Sequence, residues 1–277
     1  MAFGQIHAGY LGYAIVGGST LRCSDFNVNP RQDMLFYDHT RGLRDSAYGG
    51  LFSGKSDASA HNAQKVLGRP SVKIHQGSIT YYLTERGGDP LYKMAANGDE
   101  FNMAFKYTCG VGRVFTYCRV NSYTFTATAG DIVTINAEII CRNCSDSGID
   151  SIYSTMEKLV TWDAVQVSGP ADLPMQSVSF TINNNCIPIY TAGGNKSLNL
   201  NPVKIRVGMQ DVNGSIGYYN KGIGLHFLDA ASRSVLGISA PGFSAQLNVI
   251  YKPEERTASV SPVISSLPFV GVDVAAM

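Results

Sequence analysis

Residues 49–56, GGLFSGKS, satisfy the phosphate-loop pattern G-x-x-x-x-G-K-[ST] at every fixed position. In a working loop of that kind, backbone N–H groups cradle phosphates, the lysine (here Lys55) neutralises them, and the hydroxyl (here Ser56) binds Mg²⁺. The loop must follow a buried apolar strand and open a helix, whose N-terminus favours the anion. Here the preceding DHTRGLRDSAY holds no apolar run, and Asp57 puts an anion beside the place for phosphates. The nearest candidate for a magnesium carboxylate, Asp229, follows a stretch interrupted by Gly224 and His226. Alternating βα units, which the nucleotide fold requires, are missing from the pattern. The octet therefore reads as a Gly/Ser loop, and no nucleotide or other cofactor is expected.

Other reactive residue types are scattered. His7, His39, His61, His75 and His226 form no i, i+4 pair and have no carboxylate at ligand spacing. Cys141-Arg-Asn-Cys144 is a C-x-x-C, yet no second pair or His-x-x-x-His follows at zinc spacing. A redox pair would sit at a helix N-terminus, where the dipole lowers the thiol pKa, whereas this one ends a strand pattern. PGFSA lacks the second glycine of a nucleophile elbow, with Gln246 in its place. Asp38-His39 and Asp89-Pro90 read as turn residues. No catalytic set and no metal site emerge.

The elements that would carry such residues are short strands. The 277 residues include 29 Gly and 15 Tyr but one Trp, and only 16 % are charged, against about a quarter in ordinary domains. That profile suits strands joined by turns and suits a helical bundle poorly. The formal net charge of +1, with no dense Lys/Arg block, argues against a protein that grips nucleic acid by its phosphates. No stretch approaches 18 consecutive apolar residues, so no membrane partner is expected. The opening MAFGQIHAGYLGYAIVGG lacks a basic n-region and predicts synthesis in the cytoplasm.

Period-two alternation is clearest from Tyr123 to Ile139. Tyr123, Phe125, Ala127 and Ala129 alternate with Thr124, Thr126 and Thr128. After the Gly130-Asp131 turn, Val133, Ile135, Ala137 and Ile139 alternate with Thr134, Asn136 and Glu138. This is an antiparallel hairpin with one dry and one wet face. QSVSFTINNN places Val178, Phe180 and Ile182 on one face. VKIRVGMQDVNGSIGYY puts Ile205, Val207 and Met209 in and Lys204, Arg206 and Gln210 out, and FSAQLNVIYK puts Leu247, Val249 and Tyr251 in phase. Short helices are expected at HNAQKVLG from His61 and FLDAASRSVLG from Phe227. The chain reads as one domain over 1–277, with an N-terminal arm about 1–50, inserted loops about 40–75 and 143–158, and an extended C-terminal tail about 252–277. Arms of this kind bury little alone and often hold neighbouring subunits.

The run RVFTYCRVNSYTFTATAGDIVTINAEIICRN resembles the central signature of bacteriophage tail tube proteins. There an aromatic-x-Cys-x-Val-Asn-Ser segment leads into a Thr-rich strand, a Gly-Asp turn and a β-branched strand. LPMQSVSFTINNNCIPIYTAGG and NPVKIRVGMQDVNGSI are similar to later runs of the same family, so the likeness covers residues 113–217, with LGYAIVGGSTLRCSDFNVNP resembling its opening strand pair. The resemblance implies an all-β, mainly antiparallel fold, a β-sandwich or partly rolled barrel with a small flanking helix and extended arms. It implies hexameric rings whose inner sheets surround a lumen. Stacked rings would make the virion tail tube, assembled in the host cytoplasm, which houses the tape-measure protein before conducting DNA. A tail sheath is a further partner. Under this resemblance Thr124, Thr126, Thr128, Thr134, Asn136 and Glu138 are candidates to face the lumen, although a plain solvent-facing sheet would show the same polarity. Gly50, Ser53 and Lys55 become candidates for a loop contacting another subunit, ring or sheath. The thiols of Cys23, Cys141, Cys144 and Cys186 are candidates for disulfides between subunits, with unpaired, partly buried thiols as the other reading. A tail terminator or baseplate tube-initiator ring shares the expected fold, and a secreted β-sandwich binding module is the reading from another class.

Overall fold

A computed structural model describes residues 12–38, 66–86, 88–107, 112–147, 158–169, 175–191, 200–219, 233–252, 257–258 and 264–276. Gly12–Val16 (β1) turns back through Gly17-Gly18, both with positive φ, into Ser19–Asp38 (β2), the turn geometry that matches strand twist in a two-residue hairpin. Val66–Tyr82 (β3) follows, then the helix Pro90–Asn97 (α1), Phe101–Tyr107 (β4), Gly112–Thr128 (β5) and Thr134–Ser147 (β6). Beyond these lie Gln166–Ser168 (β7), Met175–Asn183 (β8), Ile187–Ile189 (β9), Lys204–Arg206 (β10), Asp211–Tyr219 (β11), Arg233–Ala240 (β12), Phe243–Tyr251 (β13), Thr257–Ala258 (β14) and Ile264–Ala276 (β15).

The sheet runs β4-β1-β2-β3-β6-β5-β8-β11-β15-β13-β12-β7, and β4 also pairs with β5. That extra pairing closes the first six strands into a barrel, and closure removes two strand edges. The expected all-β, mainly antiparallel barrel or sandwich is therefore what the chain adopts. β5 makes the branch. Its first half pairs with β4 and β6, and its second half pairs with β6 and β8. Two irregularities in β5 permit this. Tyr117 has φ 56° where β5 loses step with β4, and the register with β6 shifts between Val120 and Ser122. Such bulges bend a strand and increase its twist.

Alternation then fills the interior. Phe26 stacks on Phe105 with ring centroids 3.6 Å apart, and Phe125 stacks on Phe180 at 5.4 Å and on Phe243 at 4.8 Å. The helix α1 covers this core with Leu91, Tyr92 and Ala95. Asp89 caps its first turn, accepting from the amides of Leu91 and Tyr92, and Pro90 opens it.

Several expectations need correction. Residues 264–276, part of the expected extended C-terminal tail, form β15, which lies between β11 and β13 inside the sheet. Pro268 interrupts the apolar period there, yet its carbonyl still accepts from the Lys252 amide at 2.9 Å. Residues 12–38, within the expected N-terminal arm, form β1 and β2, the opening strand pair that the resemblance implies, and residues 66–75 of the expected loop belong to β3. Val66 to Gly68 and Arg233 to Gly237, placed at the ends of two expected helices, are strand; the first parts of both segments lie outside the described residues. Met209 is 85 % exposed, because β10 ends at Arg206 and the chain is irregular before β11. Asp89-Pro90 starts a helix and is more than a turn.

Candidate functional site

The wet face of the 123–139 hairpin is the centre of a much wider surface. Backbone register aligns Asp25, Thr80, Asn136, Thr124, Thr181 and Asn213 in one row across β2, β3, β6, β5, β8 and β11. A second row aligns Asn27, Ser78, Glu138, Ser122, Asn183 and Asp211 across the same strands. Thr126 opposes Thr134 on β6 and Ser179 on β8, and Thr128 opposes Ser177. All six residues expected on the wet face, Thr124, Thr126, Thr128, Thr134, Asn136 and Glu138, thus share one surface, and Val133, Ile135, Ala137 and Ile139 point into the core.

Neighbours in these rows bond laterally. The hydroxyls of Thr124 and Thr181 lie 3.0 Å apart, the Asn136 amide donates to Thr80 Oγ1 at 2.9 Å, and the Asn183 amide donates to Asp211 Oδ1 at 2.7 Å. The Asn121 amide donates to Glu138 Oε2 at 3.3 Å. Cross-strand pairs of this kind rigidify a face that water would otherwise solvate residue by residue. Asp25, Glu138 and Asp211 are the charged members of the two rows, and neither row contains a lysine or arginine. A hollow of about 330 Å³ bordered by Asn27, Gln76, Ser78, Asn121 and Glu138 opens on the same face. Its polar rim suits water and polar chain more than an apolar ligand. Sequence reasoning found the central two strands of this surface and missed its extension. The sequence sets Ser177, Ser179 and Thr181 opposite Val178, Phe180 and Ile182 on a polar face of their own, and only the β5–β8 pairing joins that face to the hairpin.

β2 adds a second feature. It pairs with β1 only from Ser19 to Cys23 and with β3 from Cys23 onward. From Asp25 its other edge has no strand partner among the described residues, and an open edge is a template for pairing with another chain.

The cysteines divide by burial. Cys23 and Cys141 have no exposed surface. Burial pushes the Cys23 thiol up to about 12. Cys141 faces Cys118 across β5 and β6, and burial, then the Cys118 contact, raises its pKa. Sulfurs held in the core cannot reach another protomer, which removes Cys23 and Cys141 from the candidates for bonds between subunits. Cys144 and Cys186 are half-buried, and the Cys186 thiol donates to the Val120 carbonyl at 3.5 Å. All five described cysteines are free thiols. Gly50, Ser53, Lys55 and the whole GGLFSGKS octet lie outside the described residues.

Among the described residues no cluster of His, Cys, Asp and Glu could hold a metal ion, and no helix is long and apolar enough to cross a membrane. His75 is buried, and desolvation followed by Lys73 and Arg113 lowers its pKa, so it is neutral at pH 7. The buried Asp89 carboxylate is occupied by four donors: the Tyr81 and Tyr123 hydroxyls and two amides of α1. It anchors the helix to β3 and β5.

No curated protein matches the chain. Residues 52–232, more than half of it, match the family model described as the phage tail tube protein. With that match laid over a barrel whose polar face continues onto β8 and β11, the chain belongs to the phage tail tube family, a structural component of the virion tail.

Proposed function

We propose that this protein forms hexameric rings that stack into the tail tube, with the polar rows on β2, β3, β6, β5, β8 and β11 toward the lumen. The observation that carries the reading is the composition of those rows: hydroxyls, amides and the three carboxylates of Asp25, Glu138 and Asp211, with no lysine or arginine. DNA holds a cation-bearing wall through its phosphates, and each such contact adds to the free energy of retention. A wall of neutral and acidic groups leaves the duplex hydrated and unattached, which suits a conduit. The same wall offers amide and hydroxyl partners to the tape-measure protein that occupies the lumen before DNA.

The open edge of β2 from Asp25 is where the next protomer would extend the sheet. A heterologous contact that repeats with closure generates a ring. The outer surface is left for a tail sheath where the tail has one, and assembly takes place in the host cytoplasm before virion release. No catalytic step is part of this role.

Negative-stain microscopy of the purified full-length chain tests it. Rings with a central hole, stacking into tubes as concentration rises, are expected. Dispersed monomers at high concentration overturn the reading, and single rings that never stack point instead to a terminator or initiator ring.

A further inference from the structure

Three thiols gather on β5 and β6. Register sets Cys118 directly opposite Cys141, and Cys144 opposite Phe115. Cys118 and Cys141 have no exposed surface, and the Cys141 thiol is hydrogen-bonded to the Cys118 sulfur. Residues facing each other across an antiparallel pair have Cα atoms about 4.5–5.5 Å apart. That lies inside the span of about 4.4–6.8 Å over which a disulfide closes without moving the backbone. Cys144 packs against the same core from a half-buried position. Cys118 acts on the titration of both Cys141 and Cys144, so the three sulfurs share one neighbourhood.

The pair stands where the sheet is least laddered. Pairing of β3 with β6 ends at His75 and Cys141. Beyond it the Lys73 amide of β3 donates instead to the Leu200 carbonyl at 2.8 Å. On β5, Cys118 follows Tyr117, whose φ of 56° interrupts the ladder. A covalent bond here holds β5 to β6 across the point where β3 leaves β6 and β5 bends.

We propose that Cys118 and Cys141 close to an intrachain disulfide when the chain meets an oxidising small-molecule disulfide, with Cys144 as the thiol through which oxidation enters. The two buried sulfurs are shut off from solvent, whereas Cys144 is reachable. Burial is the largest influence on Cys144 and raises its pKa, and Asp146 adds to the rise. Arg113 and Lys73 pull it down, and basic neighbours of this kind favour the attacking thiolate. With glutathione disulfide as oxidant, the Cys144 sulfur attacks one of its sulfurs, the S–S bond breaks, and the first glutathione leaves as a thiol. Cys118 then attacks the Cys144 sulfur and expels the second glutathione. Cys141 attacks Cys118 in turn and returns Cys144 to a free thiol. Two protein thiols have then lost two electrons and two protons, and one glutathione disulfide has become two glutathione thiols. A reducing cytoplasm keeps the pair open, so the bond belongs to the protein after it has left that compartment. It goes beyond the ring-and-tube reading, and a chain that makes no rings tests it equally well.

The test takes the reduced full-length chain, freed of reductant, and incubates it with glutathione disulfide at pH 8. Free thiols are then blocked under denaturing conditions, and peptides are mapped by mass spectrometry without reduction. Peptides joined through Cys118 and Cys141 are expected as the end product, with Cys144 free. Alkylated Cys118 and Cys141, or a stable end product that joins either of them to another cysteine, overturns the bond. Cys144→Ser, shown folded by circular dichroism, should slow closure about tenfold or more, because the buried sulfurs are then reached only through local opening. Closure at the unaltered rate overturns the entry role. If Cys144→Ser does not fold, a time course on the unaltered chain takes its place. Glutathione should appear on Cys144 before the pair closes, and its appearance first on Cys118 or Cys141 is again the overturning result.

Discussion

The Tyr81 hydroxyl donates to the Asp89 carboxylate at 2.7 Å inside the barrel, and this bond ties β3 to the first turn of α1. Tyr123 of β5 donates to the other carboxylate oxygen at 2.5 Å. One side chain thus fixes the helix against two strands of the barrel. Both hydroxyls belong to fully buried residues, so the carboxylate is also what makes their burial tolerable.

Replacing Asp89 with alanine removes the helix cap, worth about 1 kcal/mol, and leaves two buried hydroxyls unpaired at about 1–3 kcal/mol each. A loss of several kcal/mol is expected in urea unfolding, against a much smaller loss for Asp89→Asn. The pH dependence separates these further. Burial raises the Asp89 pKa above the ordinary 3.8, with four hydrogen bonds opposing the rise. A group raised in the folded state binds its proton more tightly there. Its contribution is fully present below the unfolded pKa and is lost as pH rises through the folded one. Relative to Asp89→Asn, the unaltered chain should lose stability as pH climbs from just below 4. A flat difference across that range would contradict the assignment.

Gly77 of β3 stands opposite Val28 of β2. A methyl placed on it would lie 1.6 Å from the Asn27 carbonyl oxygen, a backbone atom that cannot swing aside. Gly77→Ala should therefore cost about 3 kcal/mol or more, or prevent folding, whereas Ser78→Ala beside it should stay within about 0.5 kcal/mol. Comparable melting temperatures for the two would show that β2 can shift freely.

How far the sequence foretold this structure depends on where side chains alternate without interruption. From Tyr123 to Ala127 and from Val133 to Ile139 every second residue is dry and no bulge intervenes, so the hairpin and its wet face follow directly. Ala129, expected on the dry face, is exposed because it already belongs to the turn. Upstream the same strand is bulged at Tyr117 and Asn121, so Cys118 and Val120 point inward on even positions while Tyr123 does so on an odd one. A single period cannot run through such a strand. β15 was hidden for another reason: it is rich in small residues and holds Pro268, and it acquires its place by being covered on both edges by β11 and β13. The helix α1 has only 8 residues, too few for a periodic signal, and its cap was visible only as Asp-Pro. The breadth of the polar face was illegible because register between β5 and β8 is long-range. Threonine on β5 announces polarity, and only pairing reveals that Thr181 stands beside Thr124.

Thiol chemistry should follow burial. Cys23, Cys118 and Cys141 have no exposed surface, and the Cys23 thiol at about 12 is almost wholly protonated at pH 8. The thiolate is the reactive form. Peptide mass spectrometry after iodoacetamide at pH 8 should find these three unmodified until denaturant is added, with Cys144 and Cys186 modified first among the described cysteines. Non-reducing electrophoresis of virions, thiol-blocked at lysis, then asks whether Cys144 or Cys186 links protomers. Single removal of either should abolish any dimer band, and removal of Cys23 should not. Rapid native labelling of Cys23 would mean that β1 opens from β2.

The polar rows make a kinetic prediction that stability measurements cannot mimic. Thr126 is exposed, with Thr134 and Ser179 beside it and no base in its row, so Thr126→Lys should change folding stability by no more than about 0.5 kcal/mol and leave tube assembly intact. If the rows face the lumen, six cations per ring then line the path of the DNA. Each offers a phosphate contact that must be broken as the duplex advances, and the affinity of such contacts falls steeply with salt. Phage carrying the variant should eject DNA more slowly than the parent at low ionic strength, and the two rates should converge as salt is raised. A lysine on another exposed strand position, Val235→Lys on β12, supplies the control; Val235 is 56 % exposed and lies outside the rows. Equal slowing by both variants would point to a general charge effect, and no slowing by Thr126→Lys would turn this face away from the DNA.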